Sequence, residues 1–122
     1  MQFPPDAPTL LDAIAALLDD EVIGAVPADL QHRVRVAANL SRLVARESRL
    51  GELNARRQRR TMLAYLDGDV TLTDHELAAE LARRLRHEDD PARLDDAWRM
   101  LVLIARDDLA VAKPGHDGWE GE

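Results

Sequence analysis

A line of polar residues along the apolar segment 31–50 is the part of the sequence with the clearest chemical potential. At the ~100° per residue of an α-helix, these residues fall on one narrow face. They are Arg35, Asn39, Arg42, Arg46 and Arg49, and we call them the Arg stripe. Guanidinium groups bind carboxylates and phosphates through paired hydrogen bonds. The stripe therefore predicts contact with acidic residues of the same chain, with an anionic ligand or with another chain.

Ion pairing within the protein or between subunits is the interpretation we favour for the stripe, because the chain holds 23 acidic and 16 basic residues. The candidate carboxylates are Asp12, Asp19, Glu21, Glu80, Asp95 and Asp107. The functional alternative is an anion-binding groove for a phosphate, a nucleotide-bearing thioester or an acidic partner surface.

Glu47 raises a second question, because it falls near the line of Leu40 and Leu43 on the apolar side of the same helix. A carboxylate buried there must be paired or protonated. We expect a buried ion pair with an arginine of another helix, with Arg93, Arg99 and Arg106 as candidates. A general acid or base is the sharper alternative, but the sequence offers no nucleophile at a fixed spacing from Glu47.

Composition narrows the function classes. The net charge of −7 argues against general nucleic-acid binding, and the sequence has no cysteine for a disulfide or a thiolate zinc site. No apolar run approaches the length of a membrane span, and the first residues do not resemble a secretory signal. We therefore expect a cytoplasmic protein without nucleic-acid or membrane binding.

Motifs for catalysis and cofactor binding are not evident. No two histidines have the i, i+4 spacing of a helical metal site, and neither a glycine-rich phosphate loop nor a Gly-x-Ser-x-Gly elbow is present. We expect no catalytic residues, no metal and no cofactor.

Helical spacing of the apolar residues extends over most of the chain, and alternating strand patterns are missing. The sequence predicts an all-α, single-domain bundle of four or five helices with short connections. Residues 1–8 would form an extended arm, residues 9–113 the bundle and residues 114–122 a polar tail. Trp119 in that tail is either part of a disordered terminus or an aromatic anchor.

Helix boundaries follow from capping residues and breakers. Thr9 would cap the first helix, and Gly24 and Pro27 would end it. The Arg-stripe helix would run from a cap at Asp29 to Gly51. A third helix would begin at Asn54, with its cationic first turns frayed or compensated by acidic contacts, and Gly68 would close it.

The last two helices carry the strongest signals. The sequence Thr73-Asp-His-Glu76 is a capping box, and the apolar seam that follows it is thin, so this helix should be peripheral. Asp90 and Pro91 begin the final helix, which Pro114 and Gly115 end. The unbroken apolar segment 100–105 predicts deep burial of that helix.

Several segments resemble one family. They are Leu11–Val22, Arg35-Val-Ala-Ala-Asn39, Val44-Ala-Arg-Glu47, Glu80–Arg86 and Leu109–Pro114. Together they resemble the small bacterial proteins grouped as domain of unknown function 6285. The family's recurring polar positions would correspond to Arg35, Asn39, Arg46 and Glu47. Asp108 and Lys113 depart from the residues expected near the C-terminal end.

The resemblance implies an accessory role beside aminoglycoside-phosphotransferase-like kinases and acyl-CoA dehydrogenases, with which members are typically encoded. We expect a non-catalytic partner protein that uses the Arg stripe, with Asn39 and Glu47, as its contact surface. The alternative is a small-anion or acyl-CoA binding domain with the same stripe lining its site. A transcriptional regulator is disfavoured by the net charge. The excess of apolar surface on the second and last helices is consistent with a homodimer.

Overall fold

The computed structural model describes residues 4–118, and these are helical over most of their length. The elements are α1 (Ala7–Leu17), a π-helical segment (Leu18–Val22), α2 (Ile23–Ala25), α3 (Ala28–Leu66), α4 (Asp74–Leu85) and α5 (Pro91–Ala112). The first three follow one another without a break and form one helix, so the described part has four helices and no strand. The predicted all-α class is confirmed. Trp119 lies outside the described residues.

The first helix begins earlier than its sequence signal. Its cap is Asp6, whose Oδ1 accepts a hydrogen bond of 3.0 Å from the backbone N–H of Thr9. The predicted cap at Thr9 is therefore wrong by three residues. Proline is tolerated in the first turn because that turn's N–H groups have no partners within the helix, so Pro8 does not delay the start. At the other end, Val26 is extended and Pro27 separates this helix from α3, while Gly24 lies within α2.

Helix α3 is one element of 39 residues and is not interrupted at Gly51. The predicted stop at Gly51 and the predicted cap at Asn54 are both wrong. A glycine in a helix interior costs only about 1 kcal/mol relative to alanine, and good helix formers flank this one on both sides. Gly51 also lacks the left-handed backbone of a glycine stop, because the positive φ values of the described residues are at Asp67 and Gly115.

The end of α3 is closed by backbone and side-chain donors. The N–H of Gly68 donates to the carbonyl of Leu63 at 3.1 Å, which is the long bond of a Schellman cap with Asp67 at the left-handed position. Arg84 and Arg93 donate to the carbonyls of Leu66 and Tyr65 at 2.7 and 2.8 Å. Two arginines thus satisfy carbonyls that the end of a helix leaves without partners.

The caps predicted for α4 and α5 are confirmed. Thr73 accepts a hydrogen bond from the backbone N–H of Glu76 at 3.2 Å, and the Glu76 carboxylate accepts one from the N–H of Thr73 at 2.7 Å. Asp90 accepts a hydrogen bond from the N–H of Ala92 at 3.0 Å, with Pro91 in the first turn of α5. These caps could be predicted from the sequence because the donor and the acceptor lie within three residues of each other.

The chain divides into two compact units, residues 1–52 and residues 53–122, and α3 contributes to both. In the first unit, the buried residues of the described part are three alanines: Ala15 of α1, and Ala38 and Ala45 of α3. The apolar side of this helix, on which a buried Glu47 was expected, is not buried, since Leu40 is 56% exposed. The buried alanines of α3 share a face with Arg42 and Arg49, and both arginines pair with carboxylates of the first helix, so this face is turned toward that helix. Small side chains let two helix backbones approach closely.

The second unit has a core of large side chains. Met62, Tyr65 and Leu66 of α3 pack with Leu77 and Leu81 of α4 and with Ala97 and Met100 of α5. The guanidinium of Arg93 lies 4.2 Å from the centre of the Tyr65 ring, and the Tyr65 hydroxyl donates to the Arg93 carbonyl at 3.3 Å.

Deep burial of the whole segment 100–105 is not observed, because Leu101 and Leu103 are exposed. An apolar run in a helix must place some of its residues on the outer side.

Replacing Gly51 with alanine tests the continuity of α3. A Cβ at this position would lie 2.5 Å from Oε1 of Glu47, which is the free end of a flexible side chain and can move. We expect Gly51→Ala to raise the free energy of unfolding by about 0.5–1 kcal/mol, because alanine favours helix. Urea unfolding monitored by circular dichroism measures the change.

Gly115 provides the matched control. Its φ of 95° is unfavourable for alanine, so Gly115→Ala should lower the free energy of unfolding or leave it unchanged. A loss of stability in Gly51→Ala comparable to that expected at a left-handed position would contradict the continuous helix.

Candidate functional site

Two members of the Arg stripe connect the helices of the first unit. Arg42 Nη1 lies 2.6 Å from Asp19 Oδ2, and Arg49 Nη1 lies 2.8 Å from Asp12 Oδ2. Both carboxylates belong to the helix formed by α1 and the π-helical segment, and both were among the predicted partners. All four side chains keep substantial solvent exposure, so each pair contributes about 0–1 kcal/mol. These pairs therefore help to orient the first helix on α3 and contribute little to the free energy of folding.

The remaining stripe residues lie in different surroundings. Arg46 is half-buried and takes part in a polar or electrostatic interaction. Arg35 and Asn39 are exposed. The stripe therefore divides into Arg42 and Arg49, which pair with carboxylates of the first helix, and an exposed end formed by Arg35 and Asn39.

Glu47 is exposed, so its predicted burial is wrong. The predicted partners are engaged elsewhere: Arg93 with Glu88 at 3.9 Å, Arg99 with Asp95 at 2.7 Å, and Arg106 with the carbonyl of Gly118 at 3.3 Å. The reason is the orientation of α3, whose alanines face α1 and whose side around Leu40 faces outward. A carboxylate on that side keeps its hydration and needs no counter-ion.

A polar cluster lies between α3 and α5 in the second unit. Asp107 is buried, and its two carboxylate oxygens accept hydrogen bonds from Arg57, with Nε to Oδ2 at 3.0 Å. The side-chain amide of Asn54, also buried, donates to the Asp107 carbonyl at 3.2 Å. The bidentate pair with Asp107 raises the pKa of Arg57, so the guanidinium stays charged. This cluster joins the two helices through three side chains.

Sequence reasoning missed this cluster as a unit. Asp107 was considered only as a partner for the stripe, and Asn54 only as a helix cap. A signal was present, however, because Asp107 lies on the line of Met100, Ile104 and Val111, which is the buried side of α5. A single carboxylate on such a line predicts a cation on the neighbouring helix. Arg57 is that cation. Its pairing with Asp107 also compensates part of the positive charge at the start of the segment 56–60.

The chemistry of the cluster is structural. Both oxygens of Asp107 are occupied, and every buried side-chain nitrogen or oxygen among the described residues has a hydrogen-bond partner. A ligand that bound the Asp107 carboxylate would have to displace the guanidinium of Arg57 from it. The cluster is therefore a means of fixing the register of α5 on α3 and not an open site.

An open cavity of about 480 Å³ lies at the turn between α3 and α4. It is lined by Leu66, Asp67, Gly68, Asp69, Leu72, Glu76, Ala79, Glu80, Arg83 and Arg84. Glu80 accepts hydrogen bonds of 2.7–2.8 Å from Arg83 and Arg84, and these bonds lower the pKa of Glu80 to about 2. Both arginines that line this cavity are thus already paired with Glu80.

A second cavity, of about 280 Å³, lies along the outer side of α5. It is lined by Trp98, Arg99, Val102, Leu103 and Arg106. Trp98 is 49% exposed and forms a row with Leu94 and Leu101, at positions i, i+4 and i+7 of the helix. An exposed tryptophan flanked by arginines has the composition that dominates binding energy at protein interfaces. We call this surface the Trp98 face.

Metal and membrane features are not observed in residues 4–118. No group of three His, Asp or Glu side chains there could hold a metal ion. Over the same range, none of the helices combines the length and the apolar character of a bilayer-crossing segment.

Asp107→Asn tests the buried cluster. The neutral amide keeps the size of the side chain but loses the charge that Arg57 contacts, and hydrogen bonds to charged groups contribute about 1.5–3 kcal/mol. We expect Asp107→Asn to lower the free energy of unfolding by about that amount in urea titrations. Asp95→Asn in the same helix is the control, because Asp95 pairs with Arg99 at the surface and should change stability by less than about 0.5 kcal/mol. Equal effects of the two substitutions would rule out a special role for the cluster.

The Glu80 pair with Arg83 and Arg84 predicts a pH dependence. Because folding lowers the pKa of Glu80 to about 2, its contribution to stability is present above pH 4.5, the ordinary value, and is lost as the pH falls toward 2. Carboxyl-carbon NMR should show Glu80 still ionised at about pH 3.5, where an ordinary glutamate is mostly protonated. In Arg83→Gln/Arg84→Gln the midpoint should return toward 4.5. A midpoint near 4.5 in the unmodified protein would show that the pairs are not held in solution.

Comparison with known proteins identifies a family. No curated protein and no solved structure matches the chain. The family model Domain of unknown function (DUF6285) matches residues 24–116. Four of the five segments that carry the resemblance lie inside this range, and Leu11–Val22 lies before it. The match covers most of the sequence, so the chain belongs to the DUF6285 family.

Proposed function

We propose that this protein is a non-catalytic accessory protein that binds a partner protein through the Trp98 face of α5. The observation that carries the proposal is the exposed row of Leu94, Trp98 and Leu101 beside Arg99 and Arg106. Large apolar side chains that share one face of a surface helix commonly mark a binding site. Tryptophan and arginine in particular are enriched among the residues that contribute most to affinity.

The charges around the Trp98 face indicate what kind of surface fits it. Arg99 and Arg106 line the cavity, in a chain whose net charge is −7. Arg99 is already paired with Asp95, and Arg106 donates to the Gly118 carbonyl. The partner should therefore contact this face mainly through an apolar recess for the indole, with a polar rim around it. The family resemblance supplies the candidates, which are an aminoglycoside-phosphotransferase-like kinase and an acyl-CoA dehydrogenase of the same bacterial genome.

The Arg stripe has a reduced part in this proposal. Arg42 and Arg49 are paired with Asp19 and Asp12, so their guanidinium groups already have carboxylate partners. The exposed end of the stripe, Arg35 and Asn39, is available for a secondary contact. Arg46 and Glu47 flank it on the same helix.

Acyl-CoA binding is a second candidate function, favoured by one observation. The cavity on α5 brings together an indole and two guanidinium groups, which can stack on an adenine ring and bind phosphates, respectively. In this alternative, the ligand site lies on α5 and not along the stripe where the sequence indicated it.

Co-elution of the purified proteins tests the proposal. We expect the protein to co-elute with the kinase or the dehydrogenase in size-exclusion chromatography. Trp98→Ala should weaken this binding about 30-fold or more, since a tryptophan at the centre of an interface contributes ~2 kcal/mol or more. Val70→Ala is the control, because Val70 is 73% exposed and lies outside the row. Co-elution with neither enzyme, or equal binding by both variants, would contradict the proposal.

The same variants separate the two candidate functions. Coenzyme A or an acyl-CoA ester that binds the folded state raises the melting temperature by mass action. A rise that Trp98→Ala abolishes, in the absence of any partner protein, would favour the ligand site over the protein-binding face.

A further inference from the structure

The first unit leaves its large apolar side chains on the outside. In its described part, residues 4–52, only Ala15, Ala38 and Ala45 are buried. Val36, Leu40 and Val44 of α3 are 42%, 56% and 47% exposed. A helix with an apolar stripe must bury it against another element to be stable in water. This stripe therefore needs a cover that the described part of the unit does not provide.

The exposed apolar row is bounded by two opposite charges at equal distances. Val36, Leu40 and Val44 follow one another every four residues, which places them on one line of the helix. Arg33 lies seven residues before Leu40, and Glu47 lies seven residues after it. Seven residues make two turns within about 20°, so both charges fall on the same face as the row. Both are exposed, and within residues 4–118 neither makes an ion pair or a hydrogen bond through its side chain.

This pattern is complementary to itself when a second copy runs in the opposite direction. A two-fold axis at Leu40 places Arg33 of one copy opposite Glu47 of the other, and Val36 opposite Val44. The two-fold operation produces each contact twice, as a symmetric dimer interface requires. A parallel arrangement would instead bring Arg33 against Arg33 and Glu47 against Glu47, which like-charge repulsion disfavours.

We propose that the Val36–Leu40–Val44 face of α3 is the interface of a homodimer, in which two α3 helices pack antiparallel about Leu40. The apolar row supplies the contact area, and the two Arg33–Glu47 pairs fix direction and register, as charged residues at core positions do in coiled coils.

Charge reversal tests the register. In sedimentation equilibrium, the unmodified protein should be a dimer at micromolar concentration. Arg33→Glu and Glu47→Arg, each alone, should raise the dimer dissociation constant at least about tenfold, because each brings like charges together twice. The double variant Arg33→Glu/Glu47→Arg should return the constant to within about threefold of the original. Arg35→Glu, a reversal at an exposed arginine off this face, is the control and should change the constant little.

Cross-linking tests the position of the axis independently of stability. The chain has no cysteine, so a single introduced thiol reports on its own position. Leu40→Cys should form a covalent dimer with a short bismaleimide, and Asn39→Cys, on another side of the helix, should not. A monomer at 100 μM, single reversals without effect, or equal cross-linking at both positions would overturn the proposal. None of these measurements involves α5, so the outcome is independent of the proposed partner function.

Discussion

The continuity of α3 is the constraint on which the rest of the structure depends. Its 39 residues contribute to both units, so its helical periodicity determines what each unit can bury. In the first unit it presents Ala38 and Ala45 to α1, and in the second it presents Met62, Tyr65 and Leu66 to α4 and α5. Large side chains build a core in the second unit. The alanines of the first unit permit close approach but bury little area.

Arginines perform several different tasks along this framework. Arg42 and Arg49 link α3 to the first helix, Arg57 satisfies a buried carboxylate of α5, and Arg84 and Arg93 close the end of α3. A planar guanidinium with five donors suits each of these tasks, because it can bind two oxygens at once and keeps its charge when partly buried. Much of the basic character of the chain is thus used within the fold.

Exposed apolar rows are the main surfaces that the fold leaves available for binding. One exposed row lies on α3 around Leu40 and another on α5 around Trp98. Their borders differ: the row on α3 ends in one positive and one negative charge, whereas the row on α5 has arginines beside it. A surface bounded by one positive and one negative charge suits a second copy of itself. The row on α5, where Arg99 is already paired with Asp95, offers mainly apolar area to a different molecule.

The sequence by itself determined the features that depend on near neighbours. The helical class, the capping box at Thr73, the start of α5 at Asp90 and two of the stripe's acidic partners could all be predicted from residue types and spacing. The tertiary structure decided which side of each helix faces inward. The apolar residues of α3 cover so much of its circumference that periodicity could not choose between the alanine side and the Leu40 side. The same ambiguity hid the contact of Arg57 with Asp107, because those residues are 50 positions apart and meet only when α5 packs on α3. Gly51 was misread for a related reason: its local preference to end a helix is worth about 1 kcal/mol, which the flanking helix formers and the packing of α3 exceed.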